Sequence, residues 1–244
     1  MPAELSTERR GAILSLTLAD PATRNRLSEQ FVAAAIEALN VAESDPGVRC
    51  VVLRGAGTDF CAGAAELEPR GAPIAETAAA RWRETEQIVQ LVEAMRAFPR
   101  PVIAAVEGIV AGAGLALVLA CDLVVAAEDV RFTRPGTQAG GGADGAAQAL
   151  FADALPRALA MRWLCLAEEP AFVRQLQACG VLNRVCAPGQ ALAAACAWAD
   201  ELAAVSDAVL GGAKALLDAS PRPALARQLA AARDRLAAGL LRGL

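Results

Sequence analysis

Two segments rich in glycine and alanine could hold an anion on backbone N–H groups alone. One is Gly112-Ala113-Gly114, which follows a predicted buried strand and opens a predicted helix; the other is "DFCAGAAEL", residues 59–67, which follows the preceding predicted strand. The first N–H groups of a helix have no partner and carry partial positive charge. If the two strands are neighbours in one sheet, the loops meet at one edge, where two amides can bracket one oxygen. Such an oxyanion hole suits a thioester carbonyl that becomes an enolate or a tetrahedral adduct.

The glycine turn has two other interpretations. Taken alone, it indicates a tight turn with close packing of helix on sheet, for which glycine is suited. It is also similar to the dinucleotide-binding pattern G-x-G-x-x-G, which would indicate a nicotinamide-dependent oxidoreductase. That pattern fails at its third glycine, where Leu117 stands. The second small-residue loop favours the oxyanion hole.

The composition excludes whole classes of mechanism. The sequence contains neither histidine nor tyrosine, which excludes a Ser-His-Asp triad, a histidine-bound zinc ion and an imidazole base. Acid–base chemistry must come from Asp, Glu, Lys, Cys or bound water. With a formal net charge of -4, the chain is not basic enough for nucleic acid to be its main partner.

The sequence predicts a soluble cytoplasmic protein with reduced thiols. Charged residues interrupt the apolar N-terminal run, which is neither a signal peptide nor a transit sequence. The longest apolar stretch, from Ile109 to Cys121, is too short to span a bilayer. The seven cysteines are odd in number and form no C-x-x-C pair. They are therefore expected to be free thiols packed as small hydrophobic side chains.

Predicted strands and helices alternate in the first part of the chain, which indicates an α/β core at residues 1–187. Residues 188–244 are rich in Ala and Leu and predict a C-terminal helical region that packs on this core or on a neighbouring subunit. A helix is predicted to begin after Ser28 as its N-cap, and a long amphipathic helix is predicted to end before Pro99. Three strands are predicted at residues 11–18, 49–55 and 101–108.

Four segments follow one another along nearly the whole chain in a familiar order. They are "DPATRNRLS", "VVLRGAGTDFCAGAAEL", "PRPVIAAVEGIVAGAGLALVLACDLVVAAEDVRF" and "ACGVLNRVCAP". Together they resemble the crotonase superfamily, also called the enoyl-CoA hydratase/isomerase family. The resemblance implies ββα units wound into a spiral, with the C-terminal helical region serving trimerisation. It also implies acyl-CoA substrates, no cofactor besides the coenzyme A of the substrate, and homotrimers or dimers of trimers. Such matches specify a fold better than a reaction.

Carried over residue by residue, the resemblance assigns the two oxyanion amides to Ala64 and Ala113. The second of these replaces the usual glycine, and its methyl group takes room that glycine leaves free. Arg24 stands where the family often has a basic residue near the CoA phosphates, although a solvated turn arginine is an equal alternative. The implied substrate-binding positions are Arg24, Ala62, Ala65, Glu66, Leu67, Gly112 and Gly114.

Both glutamates that hydratases of this family use are absent. The position on the first turn of the helix is Ala116, and the position after the proline is Gly136. In the family, hydratases use both carboxylates to place and activate water, and isomerases use the second to move a proton. An ordinary hydratase reaction is therefore not expected.

Asp144 is an acid in a loop where some relatives carry a working aspartate. The alternative role, a helix N-cap, is the commoner one, and a capped carboxylate has a lowered pKa and is a poor acid. Glu84 and Glu86 on the long helix are weaker candidates. The sequence thus predicts an acyl-CoA lyase, isomerase or hydrolase of the crotonase type, with the reaction left open. The second hypothesis is a catalytically degenerate protein that binds acyl-CoA without turnover.

Overall fold

The computed structural model describes residues 4–64, 74–133, 150, 154–166 and 172–219. None of the helices described there combines the length and apolar composition that a membrane crossing requires. The strands are β1 (Glu4–Arg10), β2 (Ile13–Ala19), β3 (Cys50–Gly55), β4 (Val102–Val106), β5 (Ile109–Ala111), β6 (Leu123–Ala127), β7 (Arg131–Thr133) and β8 (Arg184–Cys186). The helices are α1 (Glu29–Ser44), α2 (Ile74–Ala97), α3 (Ala113–Ala120), α4 (Arg157–Leu166), α5 (Phe172–Ala178), α6 (Ala191–Ala203) and α7 (Asp207–Ala219).

Six strands form one sheet in the order β1-β2-β3-β4-β6-β8, and β5 pairs with β7 separately. β1 and β2 are antiparallel, and the other neighbouring pairs of the large sheet are parallel. β3 and β4, which precede the two small-residue loops, are direct neighbours, with Val51 opposite Val102. Because parallel neighbours end at the same edge of a sheet, both loops emerge on one side.

Helices cover both faces of the sheet, which explains the almost uninterrupted apolar runs of its central strands. Along β3, Val51 and Leu53 face the core shared with α1, α2 and α3, whereas Cys50 and Val52 face α6. Alanines at a spacing of four residues form the α6 side of this contact: Ala191, Ala195 and Ala199. The predicted α/β fold class is confirmed.

The sequence did not predict β1, a strand at the edge of the sheet. It pairs with β2 over its whole length, from Glu4 opposite Ala19 to Arg10 opposite Ile13. Its side chains are mostly exposed, so its sequence lacks the alternation of apolar and polar residues that marks a half-buried strand. Charged side chains on an edge strand also oppose pairing with another chain.

Side chains close both ends of α1. At its start the predicted N-cap is confirmed, because Ser28 Oγ accepts a hydrogen bond from the N–H of Phe31 (3.1 Å). At its end, the Arg100 guanidinium donates to the carbonyl oxygens of Ala42 (2.7 Å) and Asp45 (2.9 Å). A cation at a helix C-terminus satisfies carbonyl groups that have no partner and interacts favourably with the helix dipole.

Lys214, the single lysine of the sequence, ties α7 to the core. Its Nζ donates to a carboxylate oxygen of Asp122 (2.8 Å) and to the carbonyl oxygens of Met95 (3.2 Å) and Arg100 (3.3 Å). Asp122 also accepts a hydrogen bond from the N–H of Val102 (2.8 Å), and the two contacts give this acid a structural role. A separate C-terminal domain and its part in trimerisation stay predictions.

The cysteines that the structure describes are free thiols, as predicted. Cys50 and Cys121 are both buried. Burial raises the pKa of the Cys50 thiol to about 12 and raises the pKa of the Cys121 thiol still further above its usual range. Both thiols are therefore protonated at neutral pH, which makes them poor nucleophiles.

Candidate active site

The two small-residue loops run side by side at the carboxyl edge of the sheet. Three backbone hydrogen bonds join them: from Phe60 N–H to Glu107 O (2.9 Å), from Cys61 N–H to Ile109 O (3.1 Å), and from Ala111 N–H to Cys61 O (2.9 Å). β5 thus pairs in parallel with the first loop. The condition that the sequence set for a shared site, neighbouring strands with adjoining loops, is met.

The peptide group between Gly63 and Ala64 is held in one orientation. The carbonyl oxygen of Gly63 accepts a hydrogen bond from the N–H of Leu27 (2.8 Å). Since the C=O and N–H of a trans peptide point in opposite directions, the Ala64 N–H points away from Leu27. The second loop lies close to this peptide, since an ideal Cβ atom on Gly63 would be 3.5 Å from the carbonyl oxygen of Ala111.

Ala113 is the first residue of α3. The residue before it, Gly112, has φ 48 and ψ -119, a conformation suited to glycine. The Gly112 carbonyl oxygen accepts hydrogen bonds from the N–H groups of Leu115 (3.0 Å) and Ala116 (3.3 Å). The Ala113 N–H therefore belongs to the unsatisfied amides of the first helical turn. Within the described part of the chain, neither this N–H nor that of Ala64 donates to a protein acceptor. Two such donors from adjoining loops are suited to an oxygen anion.

Gly114 allows α3 to approach the first loop closely. An ideal Cβ atom at Gly114 would lie 2.6 Å from the carbonyl oxygen and 2.7 Å from the Cβ of Cys61. Non-bonded carbon contacts need about 3.5 Å or more, so any side chain at this position would push the loops apart. The methyl group of Ala113, by contrast, is accommodated in the core, with the residue only 1% exposed.

Asn25 builds the wall beside the first loop, a role that the sequence reasoning missed. It is 1% exposed and has φ 56, a left-handed conformation that asparagine tolerates better than most residues. Its Oδ1 accepts from the N–H of Asp20 (3.0 Å), and its Nδ2 donates to the carbonyl oxygens of Ala56 (2.8 Å) and Asp59 (2.7 Å). The asparagine in "DPATRNRLS" was the available signal.

Asn25→Ala is expected to lower the free energy of unfolding by about 3 kcal/mol, because each buried polar group left unpaired costs about 1–3 kcal/mol. Denaturant unfolding of both proteins measures the difference. Asn40→Ala, on the exposed side of α1, is the matched control and should change stability by less than about 0.5 kcal/mol. Equal effects of the two substitutions would contradict a structural role for the Asn25 amide.

Arg24 lies at the rim of the same loop. Its side chain is 62% exposed, with Nε 3.8 Å from a carboxylate oxygen of Asp59, and its carbonyl oxygen accepts a hydrogen bond from the N–H of Ala62 (2.9 Å). The other carboxylate oxygen of Asp59 accepts from the N–H of Ile109 (2.9 Å), which links the loops once more. The guanidinium can reach an anionic ligand, but its contact with CoA phosphates stays a prediction.

The structure places Ala116 in the interior of the molecule. It is fully buried within α3, whose eight residues are all buried, so the first turn of α3 offers no carboxylate. Five of the predicted site positions lie outside the described residues: Ala65, Glu66, Leu67, Gly136 and Asp144. The roles of these residues stay predictions.

Glu107 is the acid closest in sequence to the glycine turn, and its carboxylate has a structural role. One oxygen accepts a hydrogen bond from the N–H of Gly189 (3.1 Å) and the other from the N–H of Ala191 (2.9 Å), which begins α6. The carboxylate thus caps α6 and favours the helix through its dipole. Among the described residues, no group of three or more His, Cys, Asp or Glu side chains could hold a metal ion.

A mostly parallel sheet, covered by helices and carrying two paired loops at its carboxyl edge, is the architecture of the crotonase fold. Residues 8–238 match the family model described as "Enoyl-CoA hydratase/isomerase", and the chain belongs to this family. The resemblance inferred from the sequence is therefore confirmed.

Solved structures and curated proteins agree with this assignment. An enoyl-CoA hydratase from Polaromonas sp. JS666 is 37% identical with a TM-score of 0.77, over 97% of this chain and 91% of that chain. An enoyl-CoA hydratase from Mycobacterium avium subsp. paratuberculosis K-10 is 28% identical with a TM-score of 0.82, over 97% of this chain and 93% of that chain. The 2,3-dehydroadipyl-CoA hydratase of Escherichia coli K12 is 33% identical over 95% of this chain and 88% of that protein.

A relative with another activity matches a shorter segment. The 1,2-epoxyphenylacetyl-CoA isomerase of Escherichia coli K12 is 36% identical over 121 residues, which are 49% of this chain and 46% of that protein. Relatives of this chain thus carry the names of different reactions on CoA thioesters. Membership of the family does not define the reaction, which depends on the side chains around the site.

Proposed function

We propose that the protein binds an acyl-CoA thioester and holds its carbonyl oxygen between the N–H groups of Ala64 and Ala113. The two donors stabilise the enolate or tetrahedral anion that forms from the thioester. The single observation that supports this proposal is the hydrogen bond between Leu27 and Gly63, because it holds their loop with the Ala64 N–H pointing away from Leu27. Coenzyme A enters as part of the substrate, without a further cofactor.

Ordinary hydration is not part of the proposal. In the family, hydratases place water between two carboxylates, and this chain has Ala116 and Gly136 at those positions. The complete burial of Ala116 supports a second candidate function, the binding of acyl-CoA without turnover. We further propose a cytoplasmic homotrimer or dimer of trimers, with Arg24 near the CoA phosphates and residues 62–67 and 112–114 around the thioester.

Ala113→Pro tests the proposed donor, because proline lacks an N–H and is well tolerated at the first position of a helix. Ala113→Gly keeps the N–H and is its matched control. Calorimetry should compare the binding of butyryl-CoA and free CoA to each protein. The proline variant is expected to bind butyryl-CoA about tenfold more weakly, as the loss of one hydrogen bond implies, with CoA binding unchanged.

Two outcomes would contradict the proposal in different ways. Absence of butyryl-CoA binding to the unaltered protein would exclude an acyl-CoA site. Equal butyryl-CoA affinities of the proline and glycine variants would exclude the Ala113 N–H as a donor. A mass-spectrometric time course with a panel of enoyl-, β-keto-, malonyl- and aryl-CoA thioesters then separates the enzyme from the non-catalytic binder, and Asp144→Asn in the same panel tests the predicted acid.

A further inference from the structure

Arg54, near the carboxyl end of β3, is a half-buried cation without a counter-ion. Its Nε is enclosed by the protein and has no hydrogen-bond acceptor, and no carboxylate in the described part of the chain forms an ion pair with it. Arg49 and Arg96 also have an enclosed Nε, but a terminal nitrogen of each donates to a backbone carbonyl oxygen. A charge partly withdrawn from water costs free energy unless it is paired, so an external anion would stabilise Arg54.

The register of the sheet places hydroxyl side chains beside Arg54, on the face that carries α6. Val52, two residues earlier on β3, packs against α6, and side chains two apart along a strand share a face. In the same row across the sheet, Thr17 on β2 lies opposite Arg54, and Ser6 on β1 lies opposite Thr17. Neighbouring strands are about 5 Å apart, and a hydroxyl group can donate a hydrogen bond to an anion.

α6 covers only part of this row of side chains. Ala105, opposite Arg54 on β4, is 3% exposed and packs against α6, whereas Thr17 is half-buried and Ser6 is exposed. Arg54 therefore lies at the border between the covered and the open part of the face. Its terminal nitrogens are not enclosed, so they can contact a ligand that enters from the open side.

The acids on this face do not neutralise Arg54. Glu107 follows β4 on the same face, but its carboxylate caps α6. Asp200 on α6 pairs with Arg10. Glu8 lies on β1, two strands from Arg54, and its side chain is exposed. The charge of Arg54 is therefore left for a group from outside the described part of the chain.

We propose that Arg54, Thr17 and Ser6 form a binding site for a phosphate group, separate from the thioester site. A guanidinium presents parallel N–H donors that match two oxygens of a phosphate, and the hydroxyl groups can donate to the remaining oxygens. The helix that begins with Ala113 packs on the opposite face of the sheet, so the two ligands do not compete. The ligand is inorganic phosphate or the phosphate group of a small molecule, since both offer the same oxygens.

Calorimetry with inorganic phosphate and with glycerol 3-phosphate tests the site, and the tighter ligand identifies the source of the phosphate. Arg54→Met keeps an unbranched side chain without the charge and is expected to weaken phosphate binding by about tenfold or more, because hydrogen bonds to charged groups are lost. Thr17→Val keeps the shape without the hydroxyl group and should weaken binding by about threefold. Arg174→Met, on the exposed side of α5, is the matched control and should bind phosphate like the unaltered protein.

Thermal unfolding gives a second measurement that a purely structural arginine would not reproduce. Without phosphate, Arg54→Met is expected to unfold at a higher temperature than the unaltered protein, because an unpaired, half-buried charge is removed. Excess phosphate raises the unfolding temperature of a protein that binds it, but phosphate also stabilises folded proteins in general. The comparison that counts is therefore a smaller phosphate-dependent rise for Arg54→Met than for Arg174→Met.

Three other outcomes would overturn the inference. Equal phosphate affinities of Arg54→Met and Arg174→Met would exclude the site. A lower mass of Arg54→Met in sedimentation, together with equal phosphate affinities, would show that a second copy of the chain supplies the counter-ion. Weaker butyryl-CoA binding by Arg54→Met would contradict a separate site. Absence of butyryl-CoA binding to the unaltered protein would overturn the proposed function but not this inference.

Discussion

Replacing Lys214 with methionine is expected to lower the free energy of unfolding by about 3 kcal/mol. The ammonium group, with a side chain only 10% exposed, pairs with an Asp122 carboxylate that is 23% exposed. Methionine fills similar space but leaves that carboxylate without its cation and two carbonyl groups without their donor. Removal of one partner of a buried pair typically costs about 3–5 kcal/mol, and the partial exposure of Asp122 favours the lower end.

Denaturant unfolding measures this loss of stability. Two further variants test whether the loss comes from the pair of Lys214 with Asp122. Arg10→Met breaks the pair of Arg10 with Asp200, whose side chains are 56% and 59% exposed, and is expected to leave stability nearly unchanged because solvent screens exposed pairs. Lys214→Met combined with Asp122→Asn removes the stranded charge, while the amide oxygen can still accept from Val102. The double variant should therefore be more stable than the sum of the single losses predicts. Strictly additive losses would contradict a direct pair.

Gly114→Ala is expected to weaken butyryl-CoA binding by about tenfold or more, as the loss of one donor implies, and to lower the free energy of unfolding by about 1–3 kcal/mol. The added Cβ would lie 2.6 Å from the carbonyl oxygen of Cys61. Because this atom belongs to the backbone, the contact can be relieved only if α3 and the first loop separate. Such a separation moves the Ala113 N–H away from the Ala64 N–H.

Calorimetry and denaturant unfolding measure the two effects of Gly114→Ala. Gly212→Ala is the matched control, since an ideal Cβ at Gly212 on α7 meets nothing within 4 Å. It should leave binding intact and stabilise the helix by up to about 1 kcal/mol. Adding Cys61→Gly to Gly114→Ala removes the side-chain atoms of Cys61 and keeps its backbone oxygen. Recovery of butyryl-CoA binding in this double variant would contradict the role of the backbone oxygen.

Local patterns predicted most of the core correctly. The apolar run at residues 49–55 became β3, and Ser28 caps α1 as its position before the helix indicated. Such signals are short-range, since a buried strand needs a run of apolar residues and a helix start needs a side-chain acceptor. β1 was not predicted because its exposed side chains show no apolar pattern of their own. Such an edge strand depends on pairing with its neighbour, here β2.

The candidate site was predictable only in part. Ala64 and Ala113 came from the resemblance of two loops, and the structure brings those loops together. The supporting residues were missed because their partners are distant in sequence. Asn25 bonds residues 31 and 34 positions away, and Glu107 caps a helix that begins 84 positions later. No local pattern reports such a contact.

By itself, the sequence determined the α/β class, the free thiols, the family and the mechanisms that the absence of histidine excludes. Residue types and their spacing along the chain are sufficient for these properties. Only the tertiary structure decided that Glu107 is a structural acid and that Gly114 must remain glycine. The physical reason is that hydrogen bonds, close contacts and pockets depend on which atoms meet in space, and elements far apart in the chain supply those atoms.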